Sequence, residues 1–236
     1  MTYKILLLAG DGVGVEIAES ALKVISFFQS NNILNMEIEK GLVGGSAIDQ
    51  TGTPLPEETL RLAKYSDAIL FGAVGGPKWD SLENKDRPEA GLLKLRSELD
   101  LFCNLRSATV INGMANTSTL NAKLVDKLDL MIIRELTGGL YFGAPRGIFE
   151  EGDKQYGMNT LKYNVHEIER IARASFEVAI KRSSKLCSVD KANVLEVSQL
   201  WRDTFKKISS EYPTVELTNM YVDNAAMQLV REPKQF

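Results

Sequence analysis

Apolar runs alternate with stretches of helical periodicity over the first hundred residues, and that alternation leaves few architectures open. Tyr3 to Leu8 reads as a buried strand, and Val13 to Gln29 carries Ile17, Ala21, Val24, Ile25 and Phe28 at helical spacing. Met36 to Ile38 alternates as a strand does, and Asp67 to Val74 is a further strand running into Gly75-Gly76-Pro77. Between them Thr53-Pro54 predicts a helix start, with threonine as N-cap and proline in the first turn, continuing through Leu60 and Ala63. Strands separated by helices are joined by crossovers, so the prediction is an α/β fold with a mostly parallel sheet and flanking helices.

After a short helix over Gly91 to Leu99 the pattern changes near Leu101. Leu128 to Ile133 predicts a strand, and Arg146 to Gly157 is a polar, Gly-containing segment that reads as a hairpin or projecting arm. Val165 to Lys181 predicts a helix. Two strand–helix pairs follow: Leu186 to Val189 with Leu195 to Ile208, and Val215 to Val222 with Ala225 to Arg231. A boundary is expected near residue 100, giving domains 1–100 and 101–236.

With 236 residues, 44% hydrophobic and 25% charged, the chain can bury a sizeable core. A net charge of −3 gives no reason to expect nucleic acid or an anionic membrane as partner. Ile5 to Ala9 is too short for a signal segment and no run is long enough to span a bilayer. Two cysteines, Cys103 and Cys187, make no disulfide framework, so a reducing, cytoplasmic setting is the default. His166 reads as a surface residue, and Asp126 and Asp129 as solvated carboxylates.

Gly10-Asp11-Gly12-Val13-Gly14-Val15 follows a strand and opens a helix, which invites a dinucleotide-binding reading. The third glycine of that fingerprint falls on Val15, and Asp11 would set a negative charge against a pyrophosphate, so the fold is not expected to be a Rossmann fold.

Lys191 ends an apolar run, Ser184 to Val189, and precedes an amphipathic helix. A lysine there can act as a base if neighbouring cations help it to lose its proton; Arg96, Arg106 and Arg134 are available, and guanidinium forks suit carboxylates. Taken alone, each is better explained as a surface cation. Context comes from three stretches: Arg134-Glu135-Leu136-Thr137-Gly138-Gly139-Leu140-Tyr141-Phe142-Gly143, Ser188 to Arg202, and Val222-Asp223-Asn224-Ala225-Ala226-Met227.

In this order, from about Ile5 to Phe236, they resemble the β-decarboxylating dehydrogenases, the isocitrate/isopropylmalate dehydrogenase family. Val15, Ala9, Cys103 and Ser107 depart from commoner family residues. The resemblance implies an isopropylmalate-dehydrogenase-like two-domain fold. Family members continue past the point matching Phe236, so the first domain is expected to be incomplete, with an open sheet edge, and this chain alone to be inactive.

The implied activity is NAD-dependent oxidative decarboxylation of 3-isopropylmalate to 2-oxoisocaproate, a step of leucine biosynthesis, with Mg2+ or Mn2+. In that scheme Arg96, Arg106 and Arg134 bind substrate carboxylates, Lys191 is the general base and Tyr141 the proton donor. Asp223 is one of three metal-binding aspartates and also meets the substrate. Glu89, Gly75 and Gly76 lie on the cofactor side. Leu92 and Leu93, with Val194 facing them, would suit an isopropyl group better than a third carboxylate, and Asn193 reaches the substrate region. A homodimer with shared sites is implied, in which Lys191, Asn193, Val194 and Asp223 serve the partner's site. Two alternatives stay open: another member acting on homoisocitrate, tartrate or isocitrate, and a binding or dimer-partner protein without catalysis.

Overall fold

The computed structural model describes residues 2–236, which form nine strands and eight α-helices. They gather into two compact units, one running to Asp100 and one from Leu101 to Phe236.

The first unit contains β1 (Tyr3–Gly10), α1 (Val13–Ser30), β2 (Met36–Lys40), α2 (Gly45–Thr51), α3 (Glu57–Tyr65), β3 (Ala68–Ala73) and α4 (Pro88–Glu98). Its sheet has the order β2-β1-β3, with both pairings parallel. Leu6, Leu7 and Leu8 of the central strand are all buried, as expected of a strand covered on both faces. Leu6 and Leu8 pack with Val43, Leu55, Leu60 and Leu95.

One expectation fails here, and one helix goes unread. No helix starts at Thr53-Pro54; Pro56 is the N-cap and α3 begins at Glu57. The preceding residues form a connection that plugs Leu55 into the core and lends the Pro54 carbonyl to the Gly44 amide, 2.8 Å away. The helix actually present upstream, α2, has no apolar stripe to betray it. Its start is organised by buried Asp11, whose carboxylate accepts from the amides of Gly45 and Ser46, each at 2.7 Å, and of Gly75 at 2.9 Å. The glycine-rich loop therefore carries its own anion where a phosphate cradle would need bare amides.

The second unit contains β4 (Cys103–Thr109), α5 (Ala122–Val125), β5 (Asp129–Glu135), β6 (Gly147–Glu151), β7 (Lys154–Met158), α6 (Val165–Ile180), β8 (Lys185–Asp190), α7 (Glu196–Ser209), β9 (Glu216–Tyr221) and α8 (Val222–Arg231). β8 and β9 are parallel; β4–β5 and β6–β7 are antiparallel pairs. Ile168, Ile171, Ala172 and Phe176 of α6 meet Phe205 and Ile208 of α7, and Tyr212 stacks on Phe176 at 4.9 Å. The segment read as an arm is the β6–β7 hairpin, with Phe149 stacked on Tyr156.

β4 continues to Thr109, so Arg106 sits mid-strand. Asp129 is more than a solvated carboxylate: Arg182 pairs with it at 2.8 Å, and that hydrogen bond holds its carboxyl below the usual range. Between β5 and β8 lies an apolar groove of about 610 Å3, lined by residues of both strands with α6 and α8. Among the described residues no helix is long and apolar enough to cross a membrane.

Candidate active site

Two groups of predicted residues come together in the second unit, and a third in the first. The pairing of β8 with β9 builds the first group. Asp190 is in register with Tyr221, so both strands end side by side and their continuations start from adjacent points. Lys191 follows β8 directly, and Asp223 lies in the first turn of α8. The Lys191 Nζ to Asp223 Oδ2 distance is 3.1 Å. Lys191 holds the Asp223 carboxyl below its ordinary value, helped by backbone amides at the helix start. Asp223 is not the N-cap of that helix; Tyr221 occupies the cap and the helix starts one residue before Asp223. Asn193 and Val194 are exposed on the turn after Lys191, whose carbonyl accepts from the Val194 amide at 3.0 Å.

Under this pair lies an ion pair that the sequence reading missed. Asp190, its side chain 2% exposed, takes a two-pronged contact from Arg202 Nε and Nη2 at 2.9 and 2.8 Å, and also accepts from the Ala192 amide. The Arg202 guanidinium lies 4.9 Å from the centre of the Tyr221 ring. An acidic residue closing an apolar strand was the available signal, since such a group needs a buried partner.

The second group grows from the β4–β5 ribbon. Asn104 pairs with Arg134 and Arg106 with Ile132, so strand alternation puts Arg106 and Arg134 on one face. Cys103 and Ile133, on the other face, pack against the α6–α7 core. The Arg134 guanidinium stands 5.4 Å from the centre of the Tyr141 ring. Tyr141 is half-exposed at the end of a short 3-10 turn, Gly139–Tyr141. Buried Glu135, the last residue of β5, also went unnoticed, and it accepts from the Thr137 and Gly138 amides.

The third group is on α4. Glu89, Leu92, Leu93 and Arg96 recur at helical spacing on one face, flanking the buried face of Pro88, Gly91 and Leu95. Glu89 is exposed, while Leu92, Leu93 and Arg96 are half-buried. Glu89 leans on Gly75, which has φ +107°; a Cβ there would come within 2.7 Å of Glu89 Oε1. Gly76 follows, beside the Trp79 ring. The Gly75 amide is committed to Asp11, so any further contact from this turn uses its bare Cα face or carbonyls.

As for a metal, Asp223 offers one carboxylate, and no group of three or more His, Cys, Asp or Glu side chains converges among the described residues. A hard cation takes six or more oxygen ligands, so these residues do not make a complete cation site by themselves.

The sequence model of isocitrate/isopropylmalate dehydrogenases matches residues 4–236. The chain belongs to this family. Among its curated relatives, the 3-isopropylmalate dehydrogenase of Aquifex aeolicus is 56% identical over 234 residues, covering 99% of this chain and 64% of that protein. The 3-isopropylmalate dehydrogenase of Methylococcus capsulatus is 55% identical over 238 residues, covering 100% and 66%. The chain thus spans slightly less than two thirds of the length of these relatives. The crystal structure of isocitrate dehydrogenase from Methylococcus capsulatus superposes with a TM-score of 0.85 at 27% identity, over 99% of this chain and 65% of that one. The α/β architecture is therefore that of the dehydrogenase family.

Proposed function

We propose that the protein carries out the NAD-dependent oxidative decarboxylation of 3-isopropylmalate to 2-oxoisocaproate. The observation that carries the substrate choice is this stripe of α4, where Leu92 and Leu93 stand between Glu89 and Arg96. An apolar patch beside a guanidinium suits a branched alkyl chain next to a carboxylate. A third carboxylate set against leucine would go unpaired, at a cost of several kcal/mol of order.

In this reading Arg96, Arg106 and Arg134 bind the two substrate carboxylates. Lys191 takes the hydroxyl proton as the hydrogen on the same carbon leaves as hydride, which generates the ketone. Loss of CO2 leaves an enolate, and Tyr141 delivers a proton to its carbon. NAD is the hydride acceptor we assign, with Glu89 and the Gly75–Gly76 turn beside it. Mg2+ or Mn2+ is the metal we assign. Asp223 would supply one of its ligands.

A two-fold homodimer fits the exposed apolar residues Met227, Val230 and Val194, which are 63%, 57% and 64% exposed. The test of the reading is reduction of NAD by protein purified from its source cells, with Mn2+ and either 3-isopropylmalate or isocitrate. Turnover of 3-isopropylmalate at least tenfold faster is expected from loss of paired charges at the site. Preference for isocitrate would sink the substrate assignment.

A further inference from the structure

We propose that Glu135 is a positioning residue for Tyr141: its buried carboxylate holds the Thr137-Gly138-Gly139 turn that aims the Tyr141 phenol. The inference rests on the reading of Tyr141 as proton donor.

The side chain of Glu135 is 2% exposed, so it cannot meet a substrate. Its Oε1 accepts from the Thr137 amide at 2.9 Å and the Thr137 hydroxyl at 2.8 Å; Oε2 accepts from the Gly138 amide at 3.0 Å. The Tyr163 phenol lies close to the same carboxylate. Three donors thus converge on two oxygens, using most of their accepting capacity. The Thr137 hydroxyl in turn accepts from Arg170, whose guanidinium stacks 4.6 Å above the Phe102 ring.

From the opposite side the Tyr163 ring closes on the two glycines. A Cβ on Gly138 would fall 2.6 Å from a ring carbon, and one on Gly139 would fall 2.6 Å from the phenol oxygen. Gly139 adopts φ +75° and donates its amide to the Lys162 carbonyl at 3.0 Å. Burial, with Glu135 beside it, pushes the Tyr163 phenol well up, so it stays a protonated donor across the physiological range.

The peptides just ahead of Tyr141 are therefore clamped between a carboxylate and a ring. Tyr141 itself is 52% exposed, and the Arg134 guanidinium is the group stacked against its ring. Its direction is set chiefly by the backbone below it, and that backbone hangs on Glu135. A misplacement of about 1 Å in a reacting group can cost about a hundredfold in rate.

The test compares Glu135→Gln, Thr137→Val and Tyr141→Phe in the protein as its gene encodes it, reading amide exchange at residues 137–139 and steady-state kinetics. Glutamine keeps the shape but sets an NH2 group against donors. Exchange in Glu135→Gln is expected to quicken by about tenfold or more. Its kcat is expected to fall by about tenfold to a hundredfold, with KM changed by less than about twofold because the arginines are untouched. Thr137→Val, which folds with less disturbance, should show the same pattern at about threefold, and Thr137→Ser should restore both readouts. Unchanged exchange in Glu135→Gln, or faster exchange with full kcat, overturns the positioning role. Full kcat in Tyr141→Phe overturns the underlying reading of Tyr141 instead, and it does so without touching the exchange result.

Discussion

Lys191 and Tyr141 each stand next to a buried carboxylate, but the two carboxylates are satisfied in different currencies. Asp190 is matched by charge, with Arg202 at 2.8 and 2.9 Å. Glu135 is matched mainly by neutral N–H and O–H donors, its nearest guanidinium contact being Arg170 at 3.9 Å. The consequences differ. The Asp190–Arg202 pair fastens the end of β8 to α7, twelve residues on, and so fixes one element against another. Glu135 folds a turn within three residues of itself. A long-range ion pair sets where Lys191 stands, whereas a local hydrogen-bond cage sets which way Tyr141 points.

The largest expected effect separates the two groups they support. Lys191→Met should lower kcat for 3-isopropylmalate by about a thousandfold, while Tyr141→Phe should lower it by about a hundredfold, both within the span of acid–base catalysis. Initial rates of NADH formation measure both. Equal losses would mean that the two residues act as a unit, contrary to the division of roles proposed here.

A stability contrast comes next. Arg202→Met leaves Asp190 buried without its counter-charge and should cost about 2–3 kcal/mol in urea unfolding, somewhat below a fully buried pair because Arg202 is 26% exposed. Arg170→Met removes one hydrogen bond from the Glu135 cage and should cost about 1 kcal/mol. If the Arg170 variant proved as unstable as the Arg202 variant, the contrast between charge-matched and dipole-matched carboxylates would collapse.

The smallest effect is electrostatic and lies at the surface. Lys191 depresses the Asp223 carboxyl below its ordinary 3.8. A depressed carboxylate adds stability above its unfolded value and loses it as pH falls through the folded one, so this pair contributes in full above about pH 4 and its contribution is lost in more acid solution. In Lys191→Met the Asp223 titration, followed by carboxyl-carbon NMR, should move upward; no movement would deny the ion pair in solution.

Much of this was readable beforehand, for reasons tied to particular residues. α6 shows itself through Ile168, Ile171, Ala172, Phe176 and Ala179, which recur at helical spacing and are all buried. β8 and β9 are apolar enough to be recognised, and with them the placing of Lys191 and Asp223 at strand ends. α2 stayed hidden because its seven residues carry no stripe and its start depends on Asp11, more than thirty positions away. β4 is hard to read because Arg106 and Ser107 break its apolar pattern when their partner strand is not in view. The partners of Glu135 and Asp190 were not readable for a similar reason. A carboxylate in a strand looks like a solvated charge until Tyr163 or Arg202 is brought beside it.

The groove between β5 and β8 has a practical corollary. Its lining strands, Asp129–Glu135 and Lys185–Asp190, pair with β4 and β9 respectively, which leaves two apolar strand edges facing one space. Edges of that kind recruit strands from other molecules. Losses during refolding should then be second order in chain: recovery of this polypeptide from denaturant should drop as its concentration rises, while unfolding followed in dilute solution stays reversible.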